Sequence, residues 1–446
     1  MSLHRQLLAR AEAGRPIRVG MIGAGKFGSM YLAQARRTAG VHIVGLADLS
    51  AARAADTLRL AGWPEERFEA ADLATAMATG KTCLTEDSAG LIAFDGLDVL
   101  IEATGDPAVG IRHALAAFEH GLHVVMVNVE ADALAGPLLA RKATAAGVVY
   151  SLAWGDQPAL ICEHVDWART CGFEVVTAGK GTRYHPSYHQ LTPQTVWEEL
   201  EKYLVIADRK MINPKMFNSF LDGTKSGIEM TAVCNATGLT PQAGGLRFPP
   251  ASRFELAEVL KPAAAGGGVA HAGTTEVTSS LTRDGGPVDH HLAMGTFVVI
   301  HGDSDYVRQC FAEYHMLADN SGAYAALYRP THMIGLELGQ SVASVALRGE
   351  PTGAPSGFHS DVVATAKRNL AKGEVLDGEG GYCVWGKQAP AAASLAGRFL
   401  PIGLAQNVTL VRDVAVGQVL TRDDVALDDG ALEVRFRGEM EAAFGG

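Results

Sequence analysis

The sequence is poor in cysteine, with six in 446 residues and no Cys-x-x-Cys pair. Scattered thiols make neither a zinc cage nor a disulfide framework, and they suit a reducing compartment. Long apolar runs are missing too. No stretch approaches the roughly 20 residues that a bilayer span requires. The opening segment, residues 1–10, has no apolar core of signal-peptide length, so a cytoplasmic protein without a membrane partner is expected. Positive charge is in deficit: 38 Lys and Arg against 49 Asp and Glu leave a net charge of −11, which argues against nucleic acid or an anionic membrane as partner. The 15 histidines form no His-Glu-x-x-His motif, and His290-His291 fits a structural role better than a metal pair. No Gly-x-Ser-x-Gly elbow and no phosphate-loop Lys-Ser/Thr occur, so hydrolase and kinase chemistry lack their motifs.

What the chain does have is a glycine turn in the right setting. Residues 17–28 read Ile-Arg-Val-Gly-Met-Ile-Gly-Ala-Gly-Lys-Phe-Gly. An apolar strand leads into Gly23, Gly25, Lys26, Phe27 and Gly28, and an amphipathic helix follows. This is the pattern of a dinucleotide-binding turn. Gly23 permits the tight turn, Gly25 lets the backbone approach a pyrophosphate, and Gly28 lets helix and strand pack closely. The helix N-terminus offers free N–H groups to the phosphates. A second strand, 41–47, ends at Asp48, which lies 25 residues after Gly23, where the acidic ribose ligand of such folds sits. Asp48 suits the 2′-hydroxyl of NAD, while Arg53 suits the 2′-phosphate of NADP; the residues alone leave the two open. Thr104 and Gly105 end a later buried strand and are expected to line the cofactor channel. Asn128 ends another and is expected to touch the nicotinamide carboxamide or the substrate, with Glu130 beside it.

Strands alternate with helices to about residue 150, which implies a parallel sheet with right-handed crossovers. The expected class is α/β, in three segments. A Rossmann-like doubly wound domain covers 1–155. An α+β substrate and catalytic domain covers 156–350. A small β-rich module covers 351–446. In the last, 367–376 (Lys-Arg-Asn-Leu-Ala-Lys-Gly-Glu-Val-Leu) recurs 44 residues later as Val-Arg-Asp-Val-Ala-Val-Gly-Gln-Val-Leu. A short strand–turn–strand used twice suggests a compact β unit over about 357–427.

Two constellations carry possible chemistry. A polar loop is expected over Gly179–His189, after a strand at 174–178, and it holds Lys180 and Arg183 as an anion or polar-substrate clamp. A single helix is expected over Asn218–Thr237, closed by Gly238. On it Asp222, Lys225 and Glu229 fall at i, i+3 and i+7 and share one face. Asn218 and Ser219 stand at its start. The apolar residues around them imply a buried helix, and buried charges need partners or a task.

The order of GAGKFG, VVMVNVE and FNSFLDGTKSGIEMTAVCNATGL resembles the homoserine-dehydrogenase-like oxidoreductases over residues 17 to about 245. The C-terminal repeat resembles the SAF (antifreeze-like) module. The combination resembles the deoxyxylulose-phosphate reductoisomerase-like (DRL) group. That resemblance implies NADPH-dependent conversion of 1-deoxy-D-xylulose 5-phosphate to 2-C-methyl-D-erythritol 4-phosphate, with NADP(H) favoured over NAD(H). It implies Lys225 polarising the carbonyl or donating the proton, and Asp222 and Glu229 orienting it or holding a divalent metal such as Mg or Mn. Lys180, Arg183, Asn218 and Ser219 are then the candidates for the substrate phosphate. It also implies a homo-oligomer. The chain departs from homoserine dehydrogenases after Asn128, where Val129 and Glu130 replace their lysine, and at Lys225 and Glu229, where the charges are exchanged. A different substrate charge follows. Two other readings remain: another NAD(P)-dependent dehydrogenase of a small aldehyde, semialdehyde or sugar derivative, and a non-catalytic NADPH sensor.

Overall fold

The apolar residues of the first strand explain the first sheet. In β1 (Ile17–Ile22), Ile17, Val19 and Met21 are completely buried, and Gly20 is buried between them. Arg18 alone is exposed, and the unbroken burial from Val19 to Ile22 marks a central parallel strand covered on both faces. The computed structural model describes residues 2–445 except Val205, Ala207, Asp208, Lys210 and Met211. β1 is joined by β2 (Val41–Ala47), β3 (Cys83–Thr85), β4 (Val99–Glu102), β5 (His123–Met126) and β6 (Tyr150–Leu152). All pairs are parallel, in the order β3-β2-β1-β4-β5-β6. This is the doubly wound order, and the strand sequence reverses between β1 and β4. The helix Lys26–Ala35 lays Gly28, Tyr31, Leu32 and Ala35 on the sheet, the spacing of one helical stripe.

The chain forms two units, and they are not the three consecutive segments read from the sequence. The first comprises 1–160 and 333–355; the second comprises 161–332 and 356–446. Residues 333–355 return to the nucleotide-type sheet for an apolar reason. Leu338, Val342, Ala343 and Val345, in and beside the helix Gly339–Arg348, share a core with Tyr31, Ala35 and Ile101. The Leu152 N–H donates to Gly353 O (2.8 Å), and the Trp154 N–H donates to Ser341 Oγ (2.8 Å).

The second unit is built on β7 (Glu174–Thr182), β8 (Thr274–Ser279), β9 (Thr296–His301), β10 (Leu317–Ala318) and β11 (Tyr324–Arg329). Their order is β10-β11-β9-β7-β8, and only the β7–β8 pair is parallel. β7 continues through Gly179, Lys180 and Gly181, which corrects the expected loop there: glycine fits because a Cβ at 179 would lie 1.8 Å from Glu276 O. The neighbouring strands come too close for a side chain, so the glycines belong to the sheet.

The expected helix over 218–237 is two helices, Pro214–Leu221 and Thr224–Thr237, broken at Gly223 with φ +93°. Asp222 makes the break: its Oδ1 accepts from the Thr224 N–H at 2.9 Å. The i, i+3, i+7 face drawn through Asp222 therefore does not exist.

The helix Thr224–Thr237 is buried from Ser226 through Asn235. One side meets the five-stranded sheet through Met230 and Val233. The other meets β12 (Ser360–Ala366), which pairs antiparallel with β14 (Val384–Pro390). A Cβ on Gly227 would lie 3.0 Å from Gly386 O, and Thr231 Oγ1 is 2.9 Å from Ser360 Oγ. A helix covered on both sides needs small and apolar residues all round.

β13 (Val375–Asp377), β15 (Gln406–Leu410) and β16 (Val425–Ala426) complete the strands. The two repeat copies pair about a local two-fold axis. The Leu370 and Val414 backbones exchange both hydrogen bonds, at 2.9 Å each. The Gly373 N–H donates to Leu410 O (2.8 Å), and its counterpart Gly417 N–H donates to Ala366 O (2.9 Å). Even side chains follow the symmetry: the Lys372 N–H donates to Asp413 and the Val416 N–H donates to Asn369. The C-terminal helix Leu432–Phe444 is tied to β12 by Arg437, whose Nη2 lies 2.6 Å from Asp361 Oδ2 with both side chains fully buried.

Candidate functional site

In the first unit the three glycines do three different things. Gly23 has φ +102°, and a Cβ there would lie 2.5 Å from Ala103 O. It is forced by the turn that brings β1 beside the end of β4. A Cβ on Gly28 would lie 2.7 Å from Gly23 O, so Gly28 is forced by close helix–turn packing. Gly25 has an ordinary extended backbone, and a Cβ there would meet nothing within 4 Å. It lies exposed at the start of the helix Lys26–Ala35, whose N-cap has no side-chain hydrogen bond. Free N–H groups at an open helix start form an anion cradle.

Asp48 follows β2 and is 8% exposed. Its Oδ2 accepts from the Ala24 N–H (2.8 Å), inside the glycine turn, and its Oδ1 accepts from the Ser50 N–H (3.3 Å) and pairs with Arg53. The Arg53 side chain is 59% exposed and stands beside the acid. Lys26 is exposed and Phe27 half-buried against the core. Thr104 and Gly105 are exposed after β4, Gly105 with φ +76° and open space where a Cβ would stand. Asn128 is 1% exposed. It caps the helix Val129–Ala145 by accepting from the Ala131 N–H (3.1 Å), and it donates to Asp106 O (2.8 Å) and Thr104 Oγ1 (3.3 Å). All its polar atoms are used on protein, so it fixes the 104–106 loop rather than reaching for a ligand. The residues present therefore fit a dinucleotide, whose pyrophosphate Gly25 would hold and whose ribose Asp48 and Arg53 would meet. Glu102, fully buried at the end of β4, accepts from Thr104 Oγ1 (2.6 Å) and faces His113 Nδ1 (3.2 Å). No motif or spacing in the sequence singles out that pair.

In the second unit charges are buried in lysine–carboxylate pairs. Lys180 on β7 and Glu229 on the helix Thr224–Thr237 form an ion pair with side chains 6% and 4% exposed. Asp222 is 2.7 Å from Lys367, both almost wholly buried. Lys367 also donates to Leu191 O (2.7 Å) and Gly381 O (2.8 Å), so its ammonium is fully used. Asp222 and Glu229 thus serve different lysines. Among the described residues no group of three His, Cys, Asp or Glu side chains forms a metal site. Lys225 is half-buried in the first turn of its helix.

The expected phosphate ligands are largely committed elsewhere. Asn218 donates to Leu191 O (3.0 Å) and Gly380 O (2.9 Å), and Ser219 donates to Met216 O (2.9 Å). Both are buried. Arg183 lies 3.7 Å from Glu199 and over the Tyr203 ring. The Asn218 amide N–H groups and the Ser219 hydroxyl are used on backbone carbonyls, whereas Asn218 Oδ1 and Arg183 Nε are buried without a hydrogen-bond partner among the described residues.

Trp385, Lys367 and Glu276 carried no functional expectation in the sequence, whereas His189 ends the polar loop expected over 179–189. The His189 ring stacks on Trp385 at 3.7 Å and 18°. Burial pulls its pKa below the usual value. Its Nδ1 lies 2.7 Å from Asp222 O, which only accepts, so the proton sits there and Nε2 accepts from the Tyr184 hydroxyl (2.8 Å). Burial pushes the Tyr184 phenol up to about 12, which keeps it a donor. Glu276 on β8 accepts from Arg247, Phe248 and Val277 N–H groups and from Gln242 Nε2 (2.7 Å). Burial raises its pKa against those donors. Two signals were available: the polar loop, which contains His189, and the repeat, which contains Lys367.

Residues 19–152 match the homoserine dehydrogenase NAD-binding domain, and residues 155–338 match the catalytic domain of oxidoreductase DRL. No curated protein matches. Among solved structures, a putative oxidoreductase from Magnetospirillum magnetotacticum is 22% identical, covering 38% of this chain and 48% of that one with a TM-score of 0.27. The myo-inositol dehydrogenase from Lactobacillus casei, in complex with NAD(H) and myo-inositol, is 14% identical, covering 42% and 53% with a TM-score of 0.29. The 3-ketoreductase KijD10 from Actinomadura kijaniata, in complex with NADP, is 16% identical, covering 38% and 49% with a TM-score of 0.26. This chain spans about half the length of those it aligns with. No helix among the described residues is long and apolar enough to cross a membrane. With a Rossmann sheet, an open glycine turn and these two domain matches, the chain is similar in its parts to NAD(P)-dependent oxidoreductases.

Proposed function

We propose that the chain is an NADPH-dependent reductoisomerase that converts 1-deoxy-D-xylulose 5-phosphate to 2-C-methyl-D-erythritol 4-phosphate. The observation that carries this reading is the match of residues 155–338 to the DRL catalytic domain, directly after a nucleotide-binding match. The bound nicotinamide supplies the hydride. The chain's own residues position and polarise. Gly25 and the following helix start hold the pyrophosphate. Arg53 meets the 2′-phosphate, and Asp48 keeps the turn in place through Ala24. Lys225 supplies the proton to the oxygen that gains charge as the carbonyl is reduced. Lys180 and Glu229 form the buried electrostatic support of the same helix. The working form is a cytoplasmic homo-oligomer.

NADPH consumption with deoxyxylulose phosphate tests the reaction, run beside a panel of semialdehydes, polyols and sugar phosphates. Lys225→Met should abolish turnover and keep nucleotide binding. Turnover with another panel member alone would replace the substrate. Tight nucleotide binding with no turnover would leave the sensor reading.

A further inference from the structure

The second unit holds a cleft of about 220 Å³ that uses none of the residues assigned above to the nucleotide or to proton transfer. Its main walls are His189, Thr365, Lys367, Trp385, Lys387 and Gly417. Thr365 on β12 stands opposite Trp385 on β14, and Lys387 follows two residues later, so all three side chains share one sheet face. The His189 ring backs Trp385 and fixes its plane.

Three observations describe what would fit. First, the lining carries two lysines and no acid. Lys367 is neutralised by Asp222, whereas no described carboxylate pairs with Lys387. Second, Thr365 is 3% exposed, and its hydroxyl has no hydrogen-bond partner among the described residues. A buried hydroxyl without a partner costs free energy until something fills the place. Third, the volume lies below that of drug-sized pockets and suits a small metabolite. We infer that this cleft binds a small organic anion, a phosphate ester or a carboxylate. Its oxyanion meets the Lys387 ammonium and the Thr365 hydroxyl, and its carbon skeleton lies against Trp385.

Calorimetric titration of the full chain without nucleotide tests this, with inorganic phosphate, 3-phosphoglycerate and pyruvate as probes. At least one should saturate, and comparing phosphate with pyruvate tells which oxyanion is read. Lys387→Met should weaken that binding about tenfold or more, since hydrogen bonds to a charged group are the stronger kind. Thr365→Val, of the same shape, should weaken it by a smaller, measurable factor with the melting temperature retained. Trp385→Phe should remove any ligand-induced change in fluorescence. No saturation by any probe at millimolar concentration would overturn the inference, as would wild-type affinity in Lys387→Met. Because nucleotide is absent from the titration, neither result bears on the proposed reaction.

Discussion

Gly25→Ala separates a glycine kept for a ligand from one kept for the fold. A Cβ at position 25 meets no atom within 4 Å, and φ there is −72°. Two small effects on stability then oppose each other. Replacing glycine with alanine at a compatible backbone narrows the unfolded ensemble and stabilises by about 0.4–1 kcal/mol. Alanine is a poorer N-cap than glycine, which costs a similar amount, about 0.5–1 kcal/mol. The melting temperature should therefore barely move. Nucleotide binding should fall sharply, because a methyl group at the open helix start holds the pyrophosphate away from its N–H donors. Losing one charge-assisted hydrogen bond costs about 1.5–3 kcal/mol, or roughly 10- to 150-fold in Kd. Gly23→Ala should do the reverse: with φ +102° and Ala103 O at 2.5 Å from the new methyl, it should destabilise the protein by about 2 kcal/mol or more. NADPH fluorescence titration and a thermal melt without nucleotide read the two effects. Wild-type NADPH affinity in Gly25→Ala would refute the placement of the pyrophosphate.

Arg53→Ala should weaken NADPH more than NADH, measured as the ratio of the two dissociation constants; an unchanged ratio removes Arg53 from the 2′-phosphate. Arg437→Met should destabilise by about 3–5 kcal/mol, because it strands the buried Asp361 carboxylate, and a denaturant midpoint close to wild type would show that Asp361 is relieved by other means. Asp132 is buried, and burial raises its carboxyl to about 7 against the donating Tyr150 hydroxyl. Its folded pKa lies above its unfolded value, so the folded state keeps the proton longer and stability falls as pH rises from about 4 to 7. A gap of that size corresponds to about 4 kcal/mol at pH 8. Asp132→Asn should flatten that part of the pH–stability curve, and an unaltered curve would mean that Asp132 does not titrate there.

The parts of the fold that local chemistry determines were legible. Gly23 and Gly28 with Asp48 marked the strand–turn–helix because each answers a local demand, Gly23 a left-handed backbone, Gly28 close packing on Gly23 O, and Asp48 the Ala24 N–H. The repeat at 367–376 and 411–420 was visible as sequence, and its two-fold pairing follows from the equivalence of the copies. Non-local demands were not legible. Lys180 and its flanking glycines look like a loop, since nothing nearby reveals that Glu276 O will press within 1.8 Å of the Gly179 Cβ position. Asp222 looks like one more turn of helix, because its reason for ending one, a capping bond across Gly223 and a lysine 145 positions away, lies partly just past a distant strand. The return of 333–355 to the first unit depends on a core that those apolar residues share with elements more than 200 residues earlier. The surroundings of the expected phosphate residues are non-local in the same way. Asn218, Ser219 and Arg183 were good candidates by residue type, and the structure uses the Asn218 and Ser219 donors on backbone carbonyls and sets Arg183 beside Glu199, while Asn218 Oδ1 and Arg183 Nε keep no hydrogen-bond partner among the described residues. Polar side chains near a buried helix are first claimed by the polar groups that burial leaves wanting. Those still without a partner after that claim, such as the Thr365 hydroxyl, are the better guide to where a ligand binds.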